Sequence, residues 1–135
     1  MTMTERQMQI GEVAERTGLS LRTIRHYEEV GLVTPSARSK GGFRLYTEAD
    51  IERLMVIRRM KPLDFSLEEM RDLLEITDRI ADTGEPPADE DKERLRERLD
   101  AYRKVADARC ETLRAQLMAA EDFAATLRHR LGTGN

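Results

Sequence analysis

Residues 10–32 read IGEVAERTGLSLRTIRHYEEVGL, and their pattern decides the fold. Ile10, Val13, Ala14 and Thr17 recur at the spacing of one helical face. Gly18 follows, a residue that takes the left-handed conformation ending a helix without a Cβ penalty. After Leu19 comes Ser20, a favoured N-cap because its hydroxyl accepts from a backbone N–H two or three residues on. It opens a second helix through LRTIRHYEEV, which Gly31 stops. Two short helices joined by a turn of about three residues predict a helix-turn-helix. On a wheel of about 100° per residue, Arg22, Arg25, His26 and Glu29 share one face, while Leu21 and Ile24 point to a core.

Beyond this pair lies TPSARSKGGFRLY, residues 34–46, where Pro35, Gly41 and Gly42 punctuate short apolar stretches with no helical period. The Gly pair between cations and the alternating Phe43 and Leu45 predict a small β-hairpin, a wing beside the helices. Thr47 with Asp50 makes a capping-box start for a third helix, whose Ile51, Leu54, Met55 and Ile57 form an apolar stripe ended by Pro62. Ser66 with Glu69 repeats the device for a fourth helix, with Leu67, Met70, Leu73, Leu74 and Ile76 facing the core.

The stretch ADTGEPPAD, residues 81–89, reads as a linker, and no Gly or Pro appears from Asp89 to Leu131. In that last segment apolar or small residues fall at 95, 99, 102, 106, 110, 113, 117, 120, 124, 127 and 131, a heptad seam with one four-residue stutter arriving at Cys110. A helix of this length, roughly 60 Å at about 1.5 Å per residue, needs a partner helix, and the simplest partner is its own copy in a homodimer. The expected organisation is a winged helix-turn-helix domain over 8–78, a linker over 79–89 and a dimerisation helix over 90–131.

The chain has 135 residues, 36% of them charged, with a formal net charge of −3 from 23 basic and 26 acidic side chains. A single cysteine excludes an intrachain disulfide framework and any multi-thiolate metal or iron–sulfur site within one chain, so neither metal nor cofactor is expected. No run of eighteen apolar residues exists and the first nine residues lack the apolar stretch of a signal peptide, which leads to the expectation of a soluble, cytoplasmic protein without a membrane partner. No titratable pair stands with a nucleophile in a recognisable arrangement, so an enzyme is not expected.

A mildly acidic total argues against nucleic acid, but the charge is polarised. From Arg16 to Lys61 there are ten basic and five acidic residues, a net of plus five, whereas much of the acidic excess lies between Asp82 and Glu93. The second helix of a helix-turn-helix enters the major groove with its N-terminal residues at base edges, which favours Arg22 and Thr23 for base or adjacent phosphate contacts. Arg25, His26 and Tyr27 sit further back, where phosphate contact is expected. Lys40, Gly41, Gly42 and Arg44 offer two cations and open backbone N–H groups at the hairpin tip. Arg58 and Arg59 extend the phosphate track, with a salt bridge the alternative for Arg59.

The run T-I-R-x-Y-E-x-x-G-L at 23–32, the G-x-R-x-Y wing at 42–46 and the F-S-L-E-E segment at 65–69, in this order and spacing, closely resemble the MerR family of bacterial transcriptional regulators. The resemblance covers residues 10 to about 76, and the terminal helix is similar to the family's dimerisation helix. It implies a mainly α fold: a winged helix-turn-helix with a small β wing, followed by a long C-terminal helix that forms an antiparallel coiled coil in a homodimer. It further implies binding to a near-palindromic promoter operator, whose bending and untwisting lets RNA polymerase use both promoter elements, a distortion costing about 1–6 kcal/mol. The contacts so implied fall on Arg22, Thr23, Arg25, His26, Tyr27, Lys40, Arg44 and Arg58.

Three departures stand out. His26 replaces an aromatic residue common in relatives, and Asp64 replaces the glycine that commonly precedes the Phe of F-S-L-E-E. The cysteines of the family's metal-sensing and iron–sulfur members are absent, so the small-molecule effector is unknown. Cys110, near the middle of the terminal helix, is a seam hydrophobe or, alternatively, a site of intersubunit disulfide formation. Among other functions, an architectural or excisionase-like DNA-bending factor is the main alternative; such modules are usually shorter.

Overall fold

The computed structural model describes residues 6–132. The chain divides into one compact unit ending at Asp78 and a second beginning at Arg79.

In the first unit α1 spans Ile10–Thr17 and buries Val13 and Thr17. The Thr17 hydroxyl donates to the Val13 carbonyl at 2.8 Å and accepts from the Leu19 N–H at 3.2 Å, which satisfies a buried polar group inside the turn. Gly18 ends the helix at φ 72°, and Ser20 then caps α2, Leu21–Glu29, by accepting from the Thr23 N–H at 3.1 Å. Ile24 and Tyr27 are the buried residues of α2. Leu21, expected to face the core, is 41% exposed because the buried stripe of so short a helix runs through positions 24 and 27 instead. Gly31, at φ 80°, turns the chain inward, and Leu32 and Val33 both donate to the Tyr27 carbonyl as they enter the core.

The hairpin pairs β1, Ala37–Arg38, with β2, Arg44–Leu45, antiparallel, with Ala37 opposite Leu45. Its turn closes through Gly42 at φ 82°, with Gly42 N–H on the Ser39 carbonyl at 2.9 Å. Met8 bridges Tyr46 on the outer side, so the chain before α1 anchors the base of the wing.

The capping box predicted at Thr47 and Asp50 is formed, and α3 spans Glu48–Met60. Asp50 is buried, and its carboxylate also accepts from the Ser36 hydroxyl at 2.6 Å, tying the chain ahead of β1 to α3. Ile51, Leu54, Ile57 and Met60 are buried, while Met55 is only half-buried. Pro62 does not end α3. The helix stops at Met60, and Lys61–Leu63 continue as one 3-10 turn with Pro62 in its first positions, where a missing N–H costs nothing.

Asp64 then reverses the chain at φ 59° and ψ 37°. The Ser66–Glu69 box opens α4, Leu67–Ala81, with the Ser66 N–H on Glu69 at 2.9 Å and the Glu69 N–H on the Ser66 hydroxyl at 3.1 Å. Met70, Leu74 and Ile76 are buried; Leu67 and Leu73 lie at the edge of the apolar face, Leu67 37% exposed. The core thus gathers under the wing and the two-helix motif, with Val13, Ile24, Tyr46, Leu54 and Ile57 fully enclosed.

In the second unit the Asp82 carboxylate accepts from the Gly84 and Glu85 N–H groups, a local turn that separates α4 from α5. Helix α5 runs unbroken from Asp89 to Gly132, 44 residues or about 66 Å. Arg103 bridges Asp100 at 2.7 Å and Asp107 at 2.8 Å one turn either way, and Arg114 pairs with Glu111, pairs that help a helix with no buried residues of its own hold its form.

Candidate nucleic-acid interface

The exposed face of α2 carries Arg22, Arg25, His26 and Glu29 side by side, bordering one shallow surface. Among the described residues neither Arg22 nor Arg25 makes an ion pair, so both guanidiniums keep all their donors for another molecule. Thr23 is half-buried and belongs to the helix start: its N–H and its hydroxyl both meet the Ser20 hydroxyl, the latter at 2.8 Å. His26 is exposed, its ring 6.0 Å from that of Tyr27 and tilted by 45°.

Tyr27 departs from its expected place. It is 4% exposed, a core residue, because it follows Ile24 by three positions on the inward stripe. What it shows to the surface lines a hollow between α2 and the turn ahead of α4, where Arg22 and Lys61 supply cations and Phe65 and Met70 apolar wall.

At the wing, Lys40, Gly41, Gly42 and Phe43 are exposed, Phe43 at 62%, and its ring lies over Gly41 so closely that a Cβ there would stand 3.2 Å away. Arg38 steadies the tip by donating to the Gly42 carbonyl at 3.1 Å. Arg44 is less open than the sequence led one to expect. Its Nε donates to Glu28 Oε1 at 2.7 Å, and the carboxylate holds the guanidinium's pKa above its ordinary value through that hydrogen bond.

Arg58, on α3, is exposed and reaches back to the turn of the helix-turn-helix: its Cζ lies 3.7 Å from where a Cβ on Gly18 would sit. The structure thus brings Arg22, Arg25 and His26 onto one helix face, places Arg58 over the turn before that helix, and sets the wing's Arg44 against its far end.

Two participants escaped sequence reasoning. Lys61 belongs to the hollow beside Arg22, which only the 3-10 turn reveals. Glu28 holds the wing, and its one visible signal was its position four residues after the buried Ile24, on the flank of the inward face.

A family model described as MerR HTH family regulatory protein matches residues 8–76, and a second, described as MerR, DNA binding, matches residues 51–130. The HTH-type transcriptional regulator CueR of Salmonella typhi is 36% identical over 112 residues, covering 83% of this chain and 78% of that protein. Nodulation protein NolA of Bradyrhizobium elkanii is 42% identical over 81 residues, 60% of this chain, and this chain spans only 37% of NolA's length. Among solved structures, HiNmlR, a MerR family regulator lacking the sensor domain and bound to promoter DNA, superposes with a TM-score of 0.67 at 24% identity, over 87% of this chain and 80% of that one. At that identity the likeness concerns the fold.

Proposed function

The chain belongs to the MerR family of HTH regulatory proteins, and from that premise we propose that it is a dimeric transcription regulator which reads a near-palindromic promoter operator and distorts it. The observation that carries this reading is the α2 face, where two guanidiniums and an imidazole stand exposed next to a cationic wing. A helix fits the major groove, and Arg22, nearest the helix start, is placed for the edge of a guanine, with Thr23 beside it at the cap. Arg25 and His26 follow toward backbone phosphate, Lys40 and Arg44 meet the backbone beside the wing, and Arg58 meets it beyond the turn. Tyr27 supports this surface from beneath.

The dimer is assigned to α5. Leu113, Leu117, Leu127 and Leu131 all lie on the heptad seam and are between 41% and 81% exposed in the single chain. A second α5 covers such a row at a gain of roughly 25 cal/mol per Å² of apolar surface removed from water. The proposed pairing of the two α5 helices is antiparallel, and RNA polymerase is then the partner that meets the distorted promoter. No described helix is long and apolar enough to cross a membrane. The proposed place of work is the cytoplasm, and the proposed role is regulatory rather than enzymatic. The effector is left open: Cys110 alone provides no multi-thiolate site in one chain.

Footprinting the full chain across the intergenic region beside its own gene tests the proposal. Protection with two-fold symmetry inside a promoter is expected; protection that is asymmetric and independent of sequence would favour an architectural DNA-bending factor instead.

A further inference from the structure

The C-terminal turn of the recognition helix and the second strand of the wing meet at one carboxylate. Glu28 Oε1 accepts from Arg44 Nε at 2.7 Å, and Glu28 Oε2 accepts from the Tyr46 hydroxyl at 2.9 Å. Tyr46 is fully buried and Glu28 has a side chain only 14% exposed, so the knot is rooted in the core and shielded from competing water. Arg44 is 38% exposed, and among the described residues Glu28 alone takes its hydrogen bonds. One edge of the guanidinium is thereby fixed, while the four Nη hydrogens remain available on the outward side.

We propose that Glu28 is a positioning residue for DNA recognition: it holds the wing in register with α2 and aims the free edge of Arg44 at a backbone phosphate. The inference rests on the regulatory reading given above. Its force lies in the sign of the effect. A carboxylate beside a phosphate track repels DNA, so charge counting alone says that removing Glu28 tightens binding. A positioning role says that removal loosens it, because Arg44 then spreads over many rotamers and the entropy of ordering it falls on the complex. Tyr46 is the third member; burial and the Glu28 carboxylate raise its pKa, so the phenol stays a donor across the working pH range.

The test is a titration of full-length wild type, Glu28→Gln, Arg44→Ala, Arg44→Lys and the Glu28→Gln/Arg44→Ala double variant on a duplex of the intergenic region beside its own gene, at several salt concentrations. Wild type that fails to select this duplex over a scrambled one removes the regulatory reading itself. Given selective binding, Glu28→Gln is expected to weaken it roughly tenfold and to make the slope of log affinity against log salt shallower by about two, as the loss of one phosphate contact in each protomer of the dimer requires. In the Arg44→Ala background the same substitution is expected to weaken nothing further. Arg44→Lys keeps the charge and leaves the Glu28–Tyr46 bond intact, but lacks the fork, and it is expected to lose several-fold. Binding by Glu28→Gln that equals or exceeds wild type overturns the proposal. So does a loss that leaves the salt slope unchanged and adds fully to that of Arg44→Ala, since a merely structural defect behaves that way. Should Glu28→Gln fail to fold, Arg44→Lys decides: affinity and salt slope equal to wild type overturn the proposal.

Discussion

Asp64 holds φ 59°, the one non-glycine among the described residues in the left-handed region. That conformation costs an ordinary L-residue about 1–2 kcal/mol, less for Asp, whose short polar side chain tolerates it. Asp64→Gly removes the penalty, partly offset by the roughly 0.4–1 kcal/mol that a freer unfolded chain restores. A net gain of about 0.5 kcal/mol in urea unfolding is expected, whereas Asp64→Val destabilises by more than 1 kcal/mol. The family glycine missing from the sequence at this point was therefore a conformational signal, legible as a departure but not as an angle. Tyr46 makes the pH counterpart. Its folded pKa lies above the ordinary phenol value of 10.0, first through burial and then through the bond to Glu28. The stabilisation is complete below the unfolded value and is lost as pH rises through the folded one. Tyr46→Phe is expected to cost about 1–2 kcal/mol near neutrality and to flatten the loss of stability above about pH 10, as followed by thermal melts across that range. Glu28, the partner of Tyr46, was not readable from spacing because its role depends on where a hairpin sixteen residues away comes to rest.

At the level of the element, caps and stops were the most legible features. Ser20, the Thr47–Asp50 box, the Ser66–Glu69 box, Gly18 and Gly31 all act where local chemistry placed them, since a cap involves only neighbours in sequence. Faces were less secure on short helices. In α2, nine residues long, a shift of one position turns Leu21 outward and Tyr27 inward, and only tertiary packing, with α1 against it, settles that choice. The seam of α5 was readable from residue 95 to residue 131 because its period repeats for about five heptads, with a single stutter at Cys110. Leu117, 59% exposed, and Leu113, 41% exposed, then test the element's role. The variant Leu117→Glu is expected to leave helix content nearly unchanged and to shift the protein from dimer to monomer in sedimentation equilibrium; a dimer that persists undiminished would place the interface elsewhere.

For the molecule as a whole, the net charge of −3 hides a division of labour. From Arg16 to Lys61, the stretch that holds α2 and the wing, ten cations stand against five acids, and acidic residues crowd the segment before and at the start of α5. Such an arrangement concentrates attraction for phosphate on the stretch that carries α2 and the wing. With Arg22, Arg25, Lys40, Arg44 and Arg58 on each of two protomers, binding that engaged every cation would release counterions with a salt slope approaching about −9, at roughly −0.9 per phosphate. The central claim is that this surface reads sequence rather than charge. It is tested most directly by titrating the full-length protein against its own promoter duplex and against a scrambled duplex of equal length at one physiological salt concentration. A promoter affinity at least about a thousandfold above the scrambled one is expected; equal affinity for both duplexes would contradict sequence-specific recognition.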